Sequence, residues 1–376
     1  MGRALAIGYL GLLLLVALLA DVLANDRPVL AGDAEGWYAP ALSDAPAKEN
    51  YNWQLDPPIR YAPGATDLIG AKYLPPLAEA KRGKPRHWLG TDRLGRDTAA
   101  GLISGTRIAV IVGLGWLVIS LLIGVPLGGM AGFFGNDGLR MERWKWWGVV
   151  AGLLVGGAYA AQSVGPYLTG AGHGVRLLAI TATISVAVLL SLAFLAALRT
   201  RVRALRKVSA PPLDTVVTTL IELIRSVPGL VLLIALLALF SRSSLWLTVL
   251  VIGLLGWTAT ARFLRAELLR IRRLPYIEAA RVSGIGRWRQ LFVHALPAAI
   301  GPVVTVSCFL IGGAILTESM LSFLGLGTST DTVSWGGLLQ QSRERPAAWW
   351  LAVFPGLLLT LTVVSLNYLG ERGRHR

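Results

Sequence analysis

Apolar positions along this chain neither alternate nor recur at surface-helix spacing; they come in blocks. The blocks fall near 4–24, 108–134, 147–167, 176–198, 214–240, 245–261, 299–324 and 348–369. A run of about 18 apolar residues, rising about 1.5 Å each, is long enough to cross a hydrocarbon core of about 30 Å. The blocks therefore predict an all-α integral membrane protein with about eight spans. Residues 25–107 break the pattern. Pro57-Pro58, Gly64 and Pro75-Pro76 punctuate them and periodicity is weak, which predicts a mostly irregular external cap. The first block fits two readings. It is an N-terminal transmembrane helix over 1–24, or a signal peptide with Arg3 ahead of it and Val22-Leu23-Ala24 as the cleavage site.

Composition agrees with the blocks. The 376 residues are 54% hydrophobic and 15% charged, against roughly 25% charged in soluble domains. A net charge of +15 would point to nucleic acid in a soluble chain. Here the basic residues flank apolar blocks, where membrane orientation explains them, so membrane lipid and not nucleic acid is the expected contact. Arg3, Arg140, Arg143, Lys145, the cluster Arg199–Lys207, the arginines from Arg262 to Arg289, and Arg372, Arg374 and Arg376 gather on one side. The short loops of the other side hold Arg242, Arg343 and Arg345. By the positive-inside rule, both termini and the 262–298 loop are cytoplasmic in a multi-pass protein of a bacterial inner membrane. Cys308 has no intramolecular partner, and the scattered His87, His173, His294 and His375 predict no metal ligand set.

The 262–298 loop carries the most specific chemistry. Residues 276–297 include Glu278-Ala279-Ala280, Gly284 and Leu296-Pro297. Glu278, Ala279, Ala280 and Arg281 favour helix, and paired alanines give a low-relief face for close approach. Gly284 can take φ > 0 at the helix end. Pro297 suits the first turn of the next span, where its missing N–H costs little. A plain amphipathic surface helix would also satisfy a lone Glu-Ala-Ala. The full spacing resembles the EAA loop of ABC importer permeases, which implies a coupling helix that docks into a separate ATPase subunit.

Three further segments carry the likeness: His87-Trp88-Leu89-Gly90-Thr91-Asp92-Arg93-Leu94-Gly95-Arg96-Asp97 with Gly105-Thr106-Arg107-Ile108; Thr317–Gly327 with Ser334-Trp335-Gly336; and Asp214, Glu222 and Pro228. Together they cover most of 87–370 and resemble the C-type permease of the dipeptide, oligopeptide and nickel class. Ala24–Pro28, Gly36–Pro40 and Pro58–Tyr61 are similar to the microcin C, Yej-type branch. The resemblance implies a six-span permease core, a second permease subunit forming a heterodimer, two ATP-binding cassette ATPase domains and an external solute-binding protein. It implies ATP and Mg on those partners, no cofactor on this chain, and peptides or peptide-like solutes as cargo. Residues 139–210 depart from the family pattern and contain two apolar blocks. They are read as an inserted helical hairpin with its tip at Thr169-Gly170-Ala171-Gly172, either crossing the membrane or re-entrant. The expected domains are thus 1–24, 25–107, a second core helix at 108–138, the hairpin at 139–210, and the rest of the core at 211–376.

Glu222 and Arg225 stand three apart inside the 214–240 block, and Glu318 sits near the outer end of its block. Ionisable groups at such depth are costly and usually face a wet cavity or a bundle interior. These three residues are candidates for the pathway or gate. The alternatives are a locking pair against the partner permease, an inner-leaflet Glu222 with Arg225 snorkelling, and structural pairing of Glu318; at i,i+3, Glu222 and Arg225 can also neutralise each other. The chain has no Gly-x-x-x-x-Gly-Lys-Ser/Thr loop, His-Glu-x-x-His or nucleophile elbow, so no catalytic residue is predicted and the chain is expected to be no enzyme. Ser283-Gly284-Ile285-Gly286 follows no strand and does not read as a phosphate nest. The competing functional classes are an ATP-independent secondary transporter or channel, and a membrane scaffold without a passage.

Overall fold

The computed structural model describes residues 2–33, 36–42, 51–67, 70–78, 85–136, 138, 141–167, 173–198, 200–202, 208–240, 244–327 and 332–373. The chain divides into two compact units, one of Met1–Gly129 with Leu220–Arg376 and one of Met130–Thr219.

The larger unit begins with helix α1, Arg3–Leu18, and a short α2, Ala20–Leu23. The predicted 4–24 span breaks at Leu19, and the 16 residues of α1 reach only about 24 Å. The cap is not wholly irregular. Strands β1 (Leu30–Asp33), β2 (Gly36–Tyr38) and β3 (Trp53–Leu55) form an antiparallel sheet in the order β2-β1-β3, with Gly32 opposite both Trp37 and Trp53. Helix α3 runs over Thr98–Phe134, ten residues upstream of the expected start at 108. The reason is local: the Asp97 carboxylate accepts from the Ala100 amide at 2.9 Å and caps the helix.

The predicted 214–240 span is also not one helix. Helix α6 (Leu213–Arg225) and helix α7 (Gly229–Ala238) meet at an 80° bend around Pro228. Proline removes a backbone donor, and it drives the residue before it out of the helical region. Helix α8 follows at Leu245–Ile271, then a short α9 at Pro275–Val282. One helical stretch, α10, runs from Arg287 to Phe323. Helix α11 spans Trp335–Glu344 and α12 spans Trp350–Gly373.

Within this unit α3 and α8 approach closely. A Cβ on Gly128 would lie 2.5 Å from the Ala261 carbonyl oxygen, and one on Gly256 would enter the Trp116 indole. The Ser120 and Thr260 hydroxyls face each other at 2.6 Å. Small residues permitting near contact are the usual device between membrane helices. Gly313 meets nothing within 4 Å, so the Gly312-Gly313 pair does not serve that purpose as Gly128 does.

The smaller unit holds β4 (Met141–Glu142) paired with β5 (Val208–Ser209), and helices α4 (Arg143–Tyr167) and α5 (His173–Leu198). Gly148, Gly152 and Gly156, one per turn of α4, seat against Leu192, Val188 and Ala187 of α5 in descending order, so the helices are antiparallel. The Ser191 hydroxyl donates to the Gly148 carbonyl at 2.8 Å. The tip expected at 169–172 lies outside the described residues. Among the described residues, five helices are long and apolar enough to cross a membrane: α3, the 179–198 part of α5, α8, α10 and α12. The bent pair α6–α7 makes a sixth if it counts as one span. Among the described residues, helix α4, which opens with Arg143, Lys145 and three tryptophans, is not one of these.

Candidate functional site

The segment between α8 and α10 is a lever by construction. Leu274 takes extended backbone, Pro275 opens α9 at its first position, and Glu278 places a carboxylate in the first turn, where the helix dipole favours it. Arg281 complements the other end. Helix α9 stops in a Schellman arrangement. The Gly284 amide donates to the Arg281 carbonyl and the Ile285 amide to the Ala280 carbonyl, both at 3.1 Å, with Gly284 at φ +76°. Ile277 and Ala280 are buried, and α9 packs against the segment Gln290–Ala295. Glu278, Ala279 and Gly284 are exposed, and Val282 at the tip is 89% exposed. The helix thus buries one narrow face and presents a small, low-relief, partly apolar outer surface.

Leu296 and Pro297 open the α-helix Leu296–Phe323, with Pro297 in its first turn as the sequence suggested, but a helical stretch beginning at Arg287 runs into that α-helix from upstream. Directly upstream, Gln290–Ala295 forms a π turn. Pro297 offers no N–H, and its ring crowds the carbonyl four residues back. A widened turn relieves that crowding without ending the helix. The root of the turn holds a residue not singled out from the sequence. Gln290 is 2% exposed, and its amide donates to the Ile285 carbonyl at 2.5 Å. A polar side chain between basic and apolar neighbours was the available signal.

Glu222 and Arg225 are exposed on α6, and no ion pair among the described residues joins them. Glu318, in the last turns of α10, is 2% exposed. The Ser322 hydroxyl donates to it at 2.7 Å and the Ser319 hydroxyl at 3.4 Å, so in this chain its carboxylate is enclosed.

The other motif segments gather at the far end of α10. Asp92 accepts from the Leu94 and Arg96 amides at 2.8 and 2.9 Å, from Arg96 Nε at 2.8 Å and from Gln341 Nε2 at 3.2 Å. Gln341 Oε1 accepts in turn from the Arg93 amide at 3.0 Å. The Trp350 indole donates to the Thr91 carbonyl at 3.1 Å. His87 and Asp97, both buried, stand 2.8 Å apart, and Tyr61 stacks on His87 at 4.3 Å. Burial, followed by the Asp97 and Asp67 carboxylates, raises the Tyr61 hydroxyl above the ordinary tyrosine range. A cavity of about 240 Å³ opens beside this knot, lined by Arg93, Arg96, Ser322, Ser334, Gln340 and Gln341. Sequence reading quoted most of these residues as motifs but did not foresee that Asp92 and Gln341 bind each other.

Comparison with known proteins matches residues 204–375 to the binding-protein-dependent transport system inner membrane component family. The glutathione transport system permease protein GsiD of Pectobacterium atrosepticum is 27% identical over 76% of this chain and 70% of its own length. The di/tripeptide transport system permease protein DppC of Pseudomonas aeruginosa is 27% identical over 79% and 74%. The peptidoglycan transport system permease protein YejE of Agrobacterium fabrum is 25% identical over 96% and 86%, in keeping with the Yej-type likeness of the N-terminal segments. Residues 204–375 thus resemble the binding-protein-dependent transport system inner membrane component, the chain over most of its length is similar to permeases of the peptide class, and its series of apolar helices is in keeping with an all-α membrane permease.

Proposed function

We propose that this chain is one of two permease subunits of an ATP-binding cassette importer for peptides or peptide-like solutes, with ATP and Mg bound and hydrolysed on partner ATPase subunits. The single observation that carries the reading is α9: an eight-residue helix with a buried inner face and an exposed Glu278-Ala279 surface, held between two membrane-length helices. A body of that size can seat in a groove on a partner and pass its displacement to α8 and α10. ATP binding on the partners would favour one arrangement of the helices and hydrolysis would reset it, a two-state bias in which this chain does no chemistry. The basic flanks of the loop support a cytoplasmic side for α9 and both termini. The cap and the Arg93–Gln341 cavity then face the external solute-binding protein. Cargo class follows from relatives named for glutathione and di/tripeptides. Glu222 and Arg225, exposed within a membrane-embedded helix pair, need either a wet path or the second permease against them.

Purification from membranes tests the assignment. Co-purification with a P-loop ATPase, and uptake of a labelled alanine tripeptide into vesicles only when ATP is supplied, are expected. Uptake driven by an ion gradient with no ATPase present would make the chain a secondary transporter and end the proposal.

A further inference from the structure

Resting on the assignment of α9 as the coupling helix, we infer that Gln290 is a positioning residue that stiffens the joint between that helix and the membrane. Ile285 is the only non-glycine residue between Gly284 and Gly286, and neither glycine would bring a Cβ within 4 Å of any neighbour. Two unhindered glycines make a loose hinge, since glycine surrenders the most backbone freedom when ordered. The Ile285 peptide is nevertheless tied on both sides. Its N–H belongs to α9 through the Ala280 carbonyl, and its carbonyl belongs to α10 through the Gln290 side chain. Gln290 also donates its own amide to the Gly286 carbonyl at 3.0 Å. An apolar residue would fill this 2% exposed position without the penalty of burying an amide. The glutamine therefore exchanges packing economy for a directional bond, placed where motion of α9 must enter the π turn and α10.

The test uses the complete transporter, both permeases with their ATPases, reconstituted in nanodiscs. Spin labels at cysteines replacing the exposed Val282 and Met320, with Cys308→Ala, report the distance from the tip of α9 to the outer part of α10. Gln290→Met keeps length and helix propensity while deleting the bond. The expected result is ATPase association and hydrolysis near the wild-type rate, a broadened distance distribution, and about fivefold less tripeptide carried per ATP, the scale of one lost hydrogen bond. Gly286→Ala, which fits the observed φ of −60°, should narrow the distribution again in the Gln290→Met background. A Gln290→Met distribution as narrow as wild type overturns the inference. So does loss of assembly, which would make Gln290 a folding residue. Glu278→Arg is the control for the underlying assignment: if that variant keeps ATPase association and uptake, α9 is not the coupling helix, whatever Gln290 does.

Discussion

The Trp335 indole donates to the carbonyl of Leu102 at 3.0 Å, joining positions 233 residues apart. Beneath the ring lies Gly105, where a Cβ would sit 2.3 Å from Trp335 Cδ1. Helix α3 and the start of α11 are therefore fitted to each other through one large side chain and one absent one. Gly105→Ala should destabilise the purified protein by about 1–3 kcal/mol through overpacking. Trp335→Phe should cost about 0.5–1.5 kcal/mol through the lost indole bond, because the Leu102 carbonyl still accepts from the Thr106 hydroxyl at 2.9 Å. Thermal unfolding in detergent measures both, and the two losses should fail to add, because they act on one contact.

Asp92 collects four donors in an interior where Arg96 is 8% exposed. Asp92→Leu should remove the common acceptor of four donors, one of them charged, and cost about 3–5 kcal/mol, enough to abolish detergent-stable protein. Asp92→Asn, which keeps an acceptor for the backbone amides, should lose less. Equal stability in both variants would show that the guanidinium finds other partners.

Gly284 adopts φ +76° with open space around it. Gly284→Asn should be tolerated, since asparagine visits the left-handed region. Gly284→Val should strain the α9 cap by about 1–2 kcal/mol and weaken ATPase association in pull-down. Space is not limiting here, so the asparagine and valine variants separate backbone strain from steric bulk.

Glu222 is exposed, and no ion pair among the described residues joins it to Arg225. Glu222→Gln should leave the melting temperature unchanged and lower tripeptide uptake in the assembled complex. Unchanged uptake would remove Glu222 from the pathway. Glu318→Gln offers a contrast: its enclosure by Ser319 and Ser322 predicts an effect on stability before any on uptake.

The membrane helices were legible because hydrocarbon forces apolar blocks on any sequence that crosses it, and α8 and α12 appear much where their blocks lie. Breaks within blocks were less legible. Pro228 announced a bend, but an 80° turn depends on what packs around it. The π turn before Pro297 could not be read at all, since proline at the head of a helix and proline behind a widened turn look alike in sequence. The cap sheet was missed because strands of three or four residues are too short to show alternation. In the coupling segment, Gly284 signalled its own conformation. Gln290 did not, because its partner is a backbone carbonyl and carries no residue-type signature.

The pairing of Asp92 with Gln341 sets a clock on synthesis. The two residues lie 249 positions apart, so at about 5–20 residues per second the first waits about 12–50 s for the second to be made. Through that interval Asp92 holds its neighbouring amides and the Arg96 side chain without the Gln341 amide. The long-range half of this lock therefore closes only when α11 has been made, late in the growth of the chain.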